Sequence, residues 1–151
     1  MVERNNVVEQ TARKLVMSRV FAAPRPLVFE AWTKPEHIAK WWGPHGFSLS
    51  SCEMDLRAGG AFRFVMRGPD GLDYPFDGTY DEVERPARLV FRGKIHDGVQ
   101  VATTVTFEDR GADTLVTVQQ TYSAESEATR GSREGWSQTL DRLGDALANG
   151  G

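Results

Sequence analysis

The chain has few side chains that could carry out metal, nucleophilic or acid–base chemistry. Its three histidines, His37, His45 and His96, have spacings that match no zinc motif, and its single cysteine, Cys52, has no obvious companion. The sequence contains no G-x-S-x-G, P-loop, G-x-G-x-x-G or H-E-x-x-H pattern. We therefore expect no metal and no other cofactor, and the sequence favours a binding protein over an enzyme.

One pair of carboxylates, Glu53 and Asp55, has the spacing of an acid–base pair. Residues two apart in a strand lie on the same face of the sheet, so the two groups could act together in proton transfer. Their phase is opposite to that of the less polar Cys52, Met54 and Leu56. We therefore predict that Glu53 and Asp55 point to solvent.

Overall charge and composition argue against several classes of protein. The 151 residues carry a formal net charge of −3, and lysines and arginines are scattered among acidic residues, so no nucleic-acid partner is expected. One cysteine cannot form an intramolecular disulfide. The first twelve residues lack the apolar run of a secretory signal, and no stretch is apolar enough for a membrane helix. We expect a cytoplasmic protein that does not insert into membranes.

Hydrophobic periodicity predicts a mixed order of strands and helices. Residues 14–21 alternate as a first strand, and two short helices follow between residues 24 and 42. In the last segment, 125–148, Trp136, Leu140, Leu143 and Leu147 recur at helical spacing. Turn residues separate six further predicted strands, at 47–56, 61–67, 74–83, 88–95, 99–108 and 114–122.

These elements predict an α+β helix-grip fold. A curved, antiparallel, seven-stranded sheet wraps around a long C-terminal helix, because most strands have one apolar face. Within 47–56 the apolar parity switches between Leu49 and Cys52, which predicts a β-bulge or a bend at the end of the strand. Residues 14–148 form one domain, and 1–13 are predicted to be a flexible N-terminal segment. Edge strands of such sheets can pair across a dimer, so a homodimer stays an open alternative.

The start of the final helix carries unusually small residues on its inward face. Helical steps backwards from Trp136 reach Ser132, Thr129 and Ala128, beside Gly131 and Gly135. Small residues there would leave space under the first half of the helix, and concave apolar cavities are the usual sites for small molecules. Close backbone packing against the sheet, or a frayed helix start, would give the same pattern.

A cavity at this place would have mostly apolar walls and a few polar groups that orient a ligand. Gln120 is in phase with apolar neighbours and must find a hydrogen-bond partner, either a ligand or a group of the protein itself. The aromatic residues could equally be packed core. His45 is the histidine we place at the cavity mouth. The predicted lining residues are Trp41, Phe62, Phe64, Met66, Phe76, Tyr80, Phe91, Thr103, Val105, Val118, Gln120, Ser132 and Trp136.

Four ordered blocks of residues resemble one protein family. They are VFAAPRPLVFEAWT at 20–33 with WWGP at 41–44, then DLRAGG at 55–60, then GTY at 78–80 with PARLVF at 86–91, and finally Gly135-Trp136. In this order they are similar to the bacterial branch of the Activator of Hsp90 ATPase homologue family. That branch belongs to the START-like superfamily, also called SRPBCC, whose fold is that of the birch-pollen allergen. The resemblance implies the helix-grip fold.

The resemblance implies less about function, because this superfamily includes lipid and hormone binders, polyketide cyclases and stress-associated proteins. The first hypothesis is a protein that binds a small hydrophobic or amphipathic molecule between sheet and helix. The second is a cyclase or hydrolase of aromatic or polyketide-like molecules, which would need an ionisable residue inside the cavity. The third is a chaperone-associated, stress-response interaction module, which would expose an apolar patch or a charged face.

Overall fold

Eight strands and four helices make up the part of the chain that the computed structural model describes, residues 6–11 and 13–149. Two short helices separate the second strand from the third, and the other two helices follow the last strand. The strands are β1 Asn6–Thr11, β2 Lys14–Phe21, β3 Ser48–Met54, β4 Ala61–Arg67, β5 Asp73–Glu84, β6 Arg88–Lys94, β7 Gln100–Arg110 and β8 Asp113–Tyr122. The helices are α1 Arg25–Ala31, α2 Pro35–Ile38, α3 Glu127–Arg130 and α4 Ser132–Ala148.

All strands belong to one antiparallel sheet with the order β1-β2-β8-β7-β6-β5-β4-β3. Each strand from β3 to β7 pairs with the next one in the chain, and β2 pairs with β8. The pairing of β3 with β4 shifts between Leu49 and Ser51, which confirms the predicted bulge. The helix-grip architecture predicted from the sequence is therefore present, with two short helices after the first predicted strand.

The sheet has one more strand than the sequence analysis predicts. All seven predicted strands form, and β1 adds an eighth within the segment predicted to be flexible. Its backbone pairs with β2 from Asn6 opposite Ser18 to Thr11 opposite Lys14. The prediction missed this strand because it judged the segment by how little apolar surface it could bury, whereas β1 is held by backbone pairing. Residues 1–5 and 12 of that segment lie outside the described residues.

The final helical segment is divided, which corrects the prediction of one helix over 125–148. A single turn, α3, ends at Gly131, and α4 begins at Ser132. The hydroxyl of Ser126 accepts a hydrogen bond from the Thr129 N–H, and Thr129 Oγ1 accepts one from the Ser126 N–H, so the two form a capping box. The Ser132 hydroxyl donates to the Thr129 carbonyl at 2.8 Å. These side-chain bonds stabilise a separate turn where helical periodicity predicts continuity.

Four tryptophans connect the short helices to α4 over the concave face of the sheet. The buried Trp32 ring stacks on Trp136 with centroids 6.0 Å apart, and it meets Trp41 and Trp42 edge-on at 4.7 and 6.2 Å. The Trp41 indole N–H donates to the Ala31 carbonyl at 3.0 Å. Further along α4, Leu140 and Leu143 are fully buried. None of the described helices has the length and apolar character needed to cross a membrane.

Candidate functional site

A cavity of about 650 Å³ lies between the concave face of the sheet and the first half of the C-terminal helical segment. One side is formed by α3 and the first turns of α4, the opposite side by one end of strands β4 to β8, and a third side by the loop 42–47. Its volume falls in the range of roughly 300–1,000 Å³ typical of small-molecule pockets. The lining residues are Trp42, Gly43, Pro44, Phe47, Met66, Tyr74, Phe76, Ile95, His96, Asp97, Val101, Gln120, Tyr122, Glu127, Ala128, Thr129, Gly131, Ser132, Gly135, Trp136 and Thr139.

The small residues at the start of the helical segment face this cavity. A Cβ added at Gly135 would lie 3.7 Å from Pro44 Cγ, and one at Gly131 would meet only carbonyl oxygens of its own turn, at 3.7 and 3.8 Å. These are ordinary van der Waals distances, so neither glycine is needed for a close approach of backbone to sheet. The capping box at Ser126 argues equally against a frayed start. Of the three explanations for the small face, open space fits the structure.

Aromatic rings form most of the apolar wall. Phe47 meets Tyr74 at a centroid distance of 5.6 Å and an angle of 62°, and Tyr74 meets the His96 ring at 4.8 Å and 89°. On the other side of the cavity, Trp42 and Trp136 are nearly perpendicular at 5.8 Å. Such edge-to-face pairs are favourable contacts between aromatic rings, so the rings of the wall support one another.

A buried polar cluster centred on Gln120 interrupts the apolar wall. The Gln120 Oε1 atom accepts hydrogen bonds from the Tyr122 hydroxyl and from the Trp136 indole N–H, both at 2.9 Å. Its Nε2 donates to the Thr103 hydroxyl at 3.0 Å. Gln120 therefore has partners in the protein itself, the alternative that the sequence left open. Burial raises the pKa of the Tyr122 hydroxyl, and the Ser132 hydroxyl offsets part of this rise, so Tyr122 stays neutral at pH 7. The Tyr122 oxygen keeps acceptor capacity on the cavity surface.

The charged groups of the cavity lie at its mouth. Asp97 and Glu127 are exposed carboxylates there, and His96 is the neighbouring imidazole. Burial acts to raise the pKa of Asp97, but hydrogen bonds from the Ser126 hydroxyl and the Val99 N–H, together with charge on His96, lower it overall. The Asp97 carboxylate is therefore ionised at neutral pH. Among the residues that the structure describes, no lysine or arginine lines the cavity.

Arg142 on α4 holds the loop that forms the third side. Its Nη1 lies within 3.0–3.3 Å of the carbonyl oxygens of Trp42, Gly43, Pro44 and Phe47, and donates to them. The loop can turn this tightly because Gly43 adopts a positive φ of 101°. Burial lowers the pKa of Arg142, but a guanidinium remains charged at neutral pH. One side chain of the helix thus positions two cavity walls, Trp42 and Phe47.

The structure brings together only part of the predicted lining. Met66, Phe76, Gln120, Ser132 and Trp136 line the cavity. The other eight residues lie in the packed interior instead, where aromatic rings from β4, β5 and β6 fill the space. The Phe62 ring centroid lies 5.3 Å from that of Tyr80 and 5.7 Å from that of Phe91. These eight are Trp41, Phe62, Phe64, Tyr80, Phe91, Thr103, Val105 and Val118. Their apolar phase was predicted correctly, but phase does not say which end of the sheet is open.

The histidine at the mouth is His96, which corrects the choice of His45. The His45 ring is 60% exposed and lies 4.0 Å from Asp141, outside the cavity. His96 follows β6 in a turn, and turn residues carry no periodic signal that would place them at a cavity. The pairing of Tyr74 with His96 brings this turn to the wall. Glu53 and Asp55 are exposed as predicted, and no three His, Cys, Asp or Glu side chains converge as metal ligands would in the described ranges.

Cys52 lies outside the cavity, and we expect its thiol to react slowly. Burial, with a smaller effect from the charge of Glu36, raises the pKa of Cys52 to about 11. At pH 8 this shift lowers the thiolate fraction about a hundredfold relative to an ordinary cysteine. Alkylation by iodoacetamide, followed by mass spectrometry, should be at least about tenfold slower in the native protein than in urea, and should accelerate as pH rises towards 11. Equal native and unfolded rates would contradict this.

Comparison with known proteins places the chain in a family. The family model described as "Activator of Hsp90 ATPase homolog 1-like protein" matches residues 22–148. A solved structure from Nitrosomonas europaea is 26% identical, with a TM-score of 0.79 over 93% of this chain and 97% of that chain. One from Rhizobium leguminosarum is 27% identical, with a TM-score of 0.73 over 99% of both.

A third solved structure, the AHSA1 protein from Silicibacter pomeroyi, is 24% identical, with a TM-score of 0.80 over 91% of this chain and 99% of that chain, and supports the fold alone. No curated protein matches the sequence significantly. Because the family model covers most of the sequence and the helix-grip fold is present, the chain belongs to the Activator of Hsp90 ATPase homolog 1-like family, a START-like family.

Proposed function

We propose that this protein binds a small hydrophobic or amphipathic molecule in the cavity between the sheet and the start of the C-terminal helical segment. The observation that carries the proposal is the cavity itself, about 650 Å³ in volume, with aromatic walls and the polar cluster at Gln120. Burial of apolar ligand surface against the rings would supply most of the affinity. The Tyr122 oxygen and the second N–H of Gln120 would orient a polar group of the ligand.

The contacts among the wall residues support binding with little loss of side-chain entropy. The rings of Trp42 and Trp136 contact each other, and the Trp136 indole is held by its hydrogen bond to Gln120. A preformed site avoids the cost of ordering side chains when the ligand arrives. We propose that this binding takes place in the cytoplasm, because a single cysteine without a disulfide partner is typical of a reducing compartment.

Two measurements test the proposal. Native mass spectrometry of the purified protein, followed by denaturing extraction, detects any apolar molecule that stays bound through purification, which would support the proposal. The second measurement is needed if the protein has the apo mass. For the apo protein, we expect the neutral dye N-phenyl-1-naphthylamine to bind saturably with one site per chain and to accept excitation energy from Trp42 and Trp136. A clean apo mass together with no saturable dye binding would contradict the proposal.

A further inference from the structure

The aromatic rings and carboxylates of the cavity lie at the same end. Phe47, Tyr74 and His96 follow one another in edge contacts, with angles of 62° between the first two rings and 89° between the last two, so three rings lie together at this end. Asp97 lies next to His96 in sequence and also lines this end. Glu127 reaches the mouth from the other side, in the first turn of α3.

Among the described lining residues, the side chains with a permanent charge at neutral pH are acidic, and His96 is the one basic group beside them. Asp97 and Glu127 are carboxylates, and no lysine or arginine is among the lining residues that the structure describes. On the neighbouring helices, Arg130 lies 4.0 Å from Glu125, Arg142 is bound to loop carbonyls, and Arg133 is exposed and lies outside the lining. A ligand carboxylate or phosphate would therefore meet like charge at the mouth, whereas a cation would meet opposite charge.

Rings and carboxylates together are the chemistry that recognises organic cations. The face of an aromatic ring attracts a nearby ammonium group, by more when water is excluded, and cages of several rings bind quaternary ammonium groups. We infer that the cavity selects amphipathic cations, an apolar body that carries an amine or quaternary ammonium group, over neutral or anionic molecules of the same shape. This inference rests on the proposed function, because it names the class of molecule that the same cavity takes.

Three probes with one naphthyl body and different head groups test the selectivity by isothermal titration calorimetry. They are the cation (2-naphthylmethyl)trimethylammonium, the neutral alcohol 2-naphthalenemethanol and the anion 2-naphthaleneacetate. We expect the cation to bind at least about tenfold more tightly than the alcohol, and the anion to bind more weakly than the alcohol. Raising the salt concentration should reduce the preference for the cation, because the carboxylates are exposed.

Matched variants separate the contribution of the carboxylates from that of overall charge. The double substitution Asp97→Asn/Glu127→Gln should weaken cation binding at least about fivefold more than it weakens alcohol binding. The amide introduced at position 97 keeps an oxygen that can accept from the Val99 N–H. The control Glu108→Gln/Asp109→Asn removes the same charge from exposed positions of β7 outside the lining and should change neither affinity.

A second pair of variants tests the ring at Tyr74. Tyr74→Leu should weaken cation binding about fivefold more than alcohol binding, whereas Tyr74→Phe keeps the ring and should keep the preference. Equal affinity for cation and alcohol would overturn the inference and leave the proposed function intact. Binding of N-phenyl-1-naphthylamine without binding of the cation would do the same. If neither the dye nor any naphthyl probe binds, the proposed function fails as well.

Discussion

Filling the cavity from the helix should abolish binding while the fold persists. In the double variant Ser132→Phe/Gly135→Leu, two large side chains enter the space under the start of α4, and we expect affinity for N-phenyl-1-naphthylamine to fall at least about tenfold, or about 1.4 kcal/mol. A Cβ at Gly135 makes only ordinary contact with Pro44, so the backbone there tolerates a side chain that extends into the cavity. Replacing a helical glycine also favours the helix by roughly 0.5–1 kcal/mol. Dye titration measures the affinity.

The control for this variant is Arg133→Phe, which adds a phenyl ring on the exposed side of the same helical turn. We expect it to leave dye affinity within about twofold of the unsubstituted protein. Urea unfolding of both variants checks that each is folded. If the filled variant is folded and binds the dye as tightly as the unsubstituted protein does, the dye site is not this cavity.

Removing the guanidinium of Arg142 should have the largest effect on stability among these variants. In Arg142→Met the apolar stem remains, but four loop carbonyls lose their shared donor. Leaving partly buried acceptors unsatisfied costs about 1–3 kcal/mol each in the buried limit, so we expect a loss of about 2–3 kcal/mol in the free energy of unfolding. Urea denaturation measures this loss. Dye affinity should fall too, because Trp42 and Phe47 are carried by the same loop.

Arg130→Met is the matched control for the loop anchor. Arg130 is exposed and lies 4.0 Å from its carboxylate partner, and exposed ion pairs contribute little, so we expect a change within about 0.5 kcal/mol. An Arg142→Met variant as stable as this control would show that the loop is held by its apolar contacts alone.

The fold could be predicted because periodicity and turn residues report local backbone structure. Residues 61–67 carry Phe62, Phe64 and Met66 at alternate positions and form β4 with the predicted bounds. Two features escaped prediction because they depend on side-chain or backbone hydrogen bonds that hydrophobic periodicity does not record. The break at Gly131 follows from the Ser126 and Thr129 cap, and β1 follows from pairing with β2.

The site was predicted in part, for a related reason. The spacing of the small residues in the helical segment is visible in the sequence, and Trp136 continues the same face. Gln120 is in phase with the apolar residues of its own strand, so the place of the candidate site could be predicted. Which sheet residues line the cavity depends on where the helical segment packs along each strand. This is a property of the tertiary structure and not of the sequence periodicity. His96 and Asp97 lie in a turn without periodicity, and only the three-dimensional position of the β6–β7 connection brings them to the mouth.

Heteronuclear NMR tests the central claim most directly, since it reports both binding and its location in a 16.8 kDa protein. We predict that N-phenyl-1-naphthylamine shifts the amide signals of 128–135, the indole signals of Trp42 and Trp136, and the side-chain amide of Gln120, all with one saturation curve. Signals around Phe62 and Phe91 in the packed interior should change much less. Saturable shifts centred elsewhere, or no saturable shifts at all, would contradict a ligand site under the start of α4.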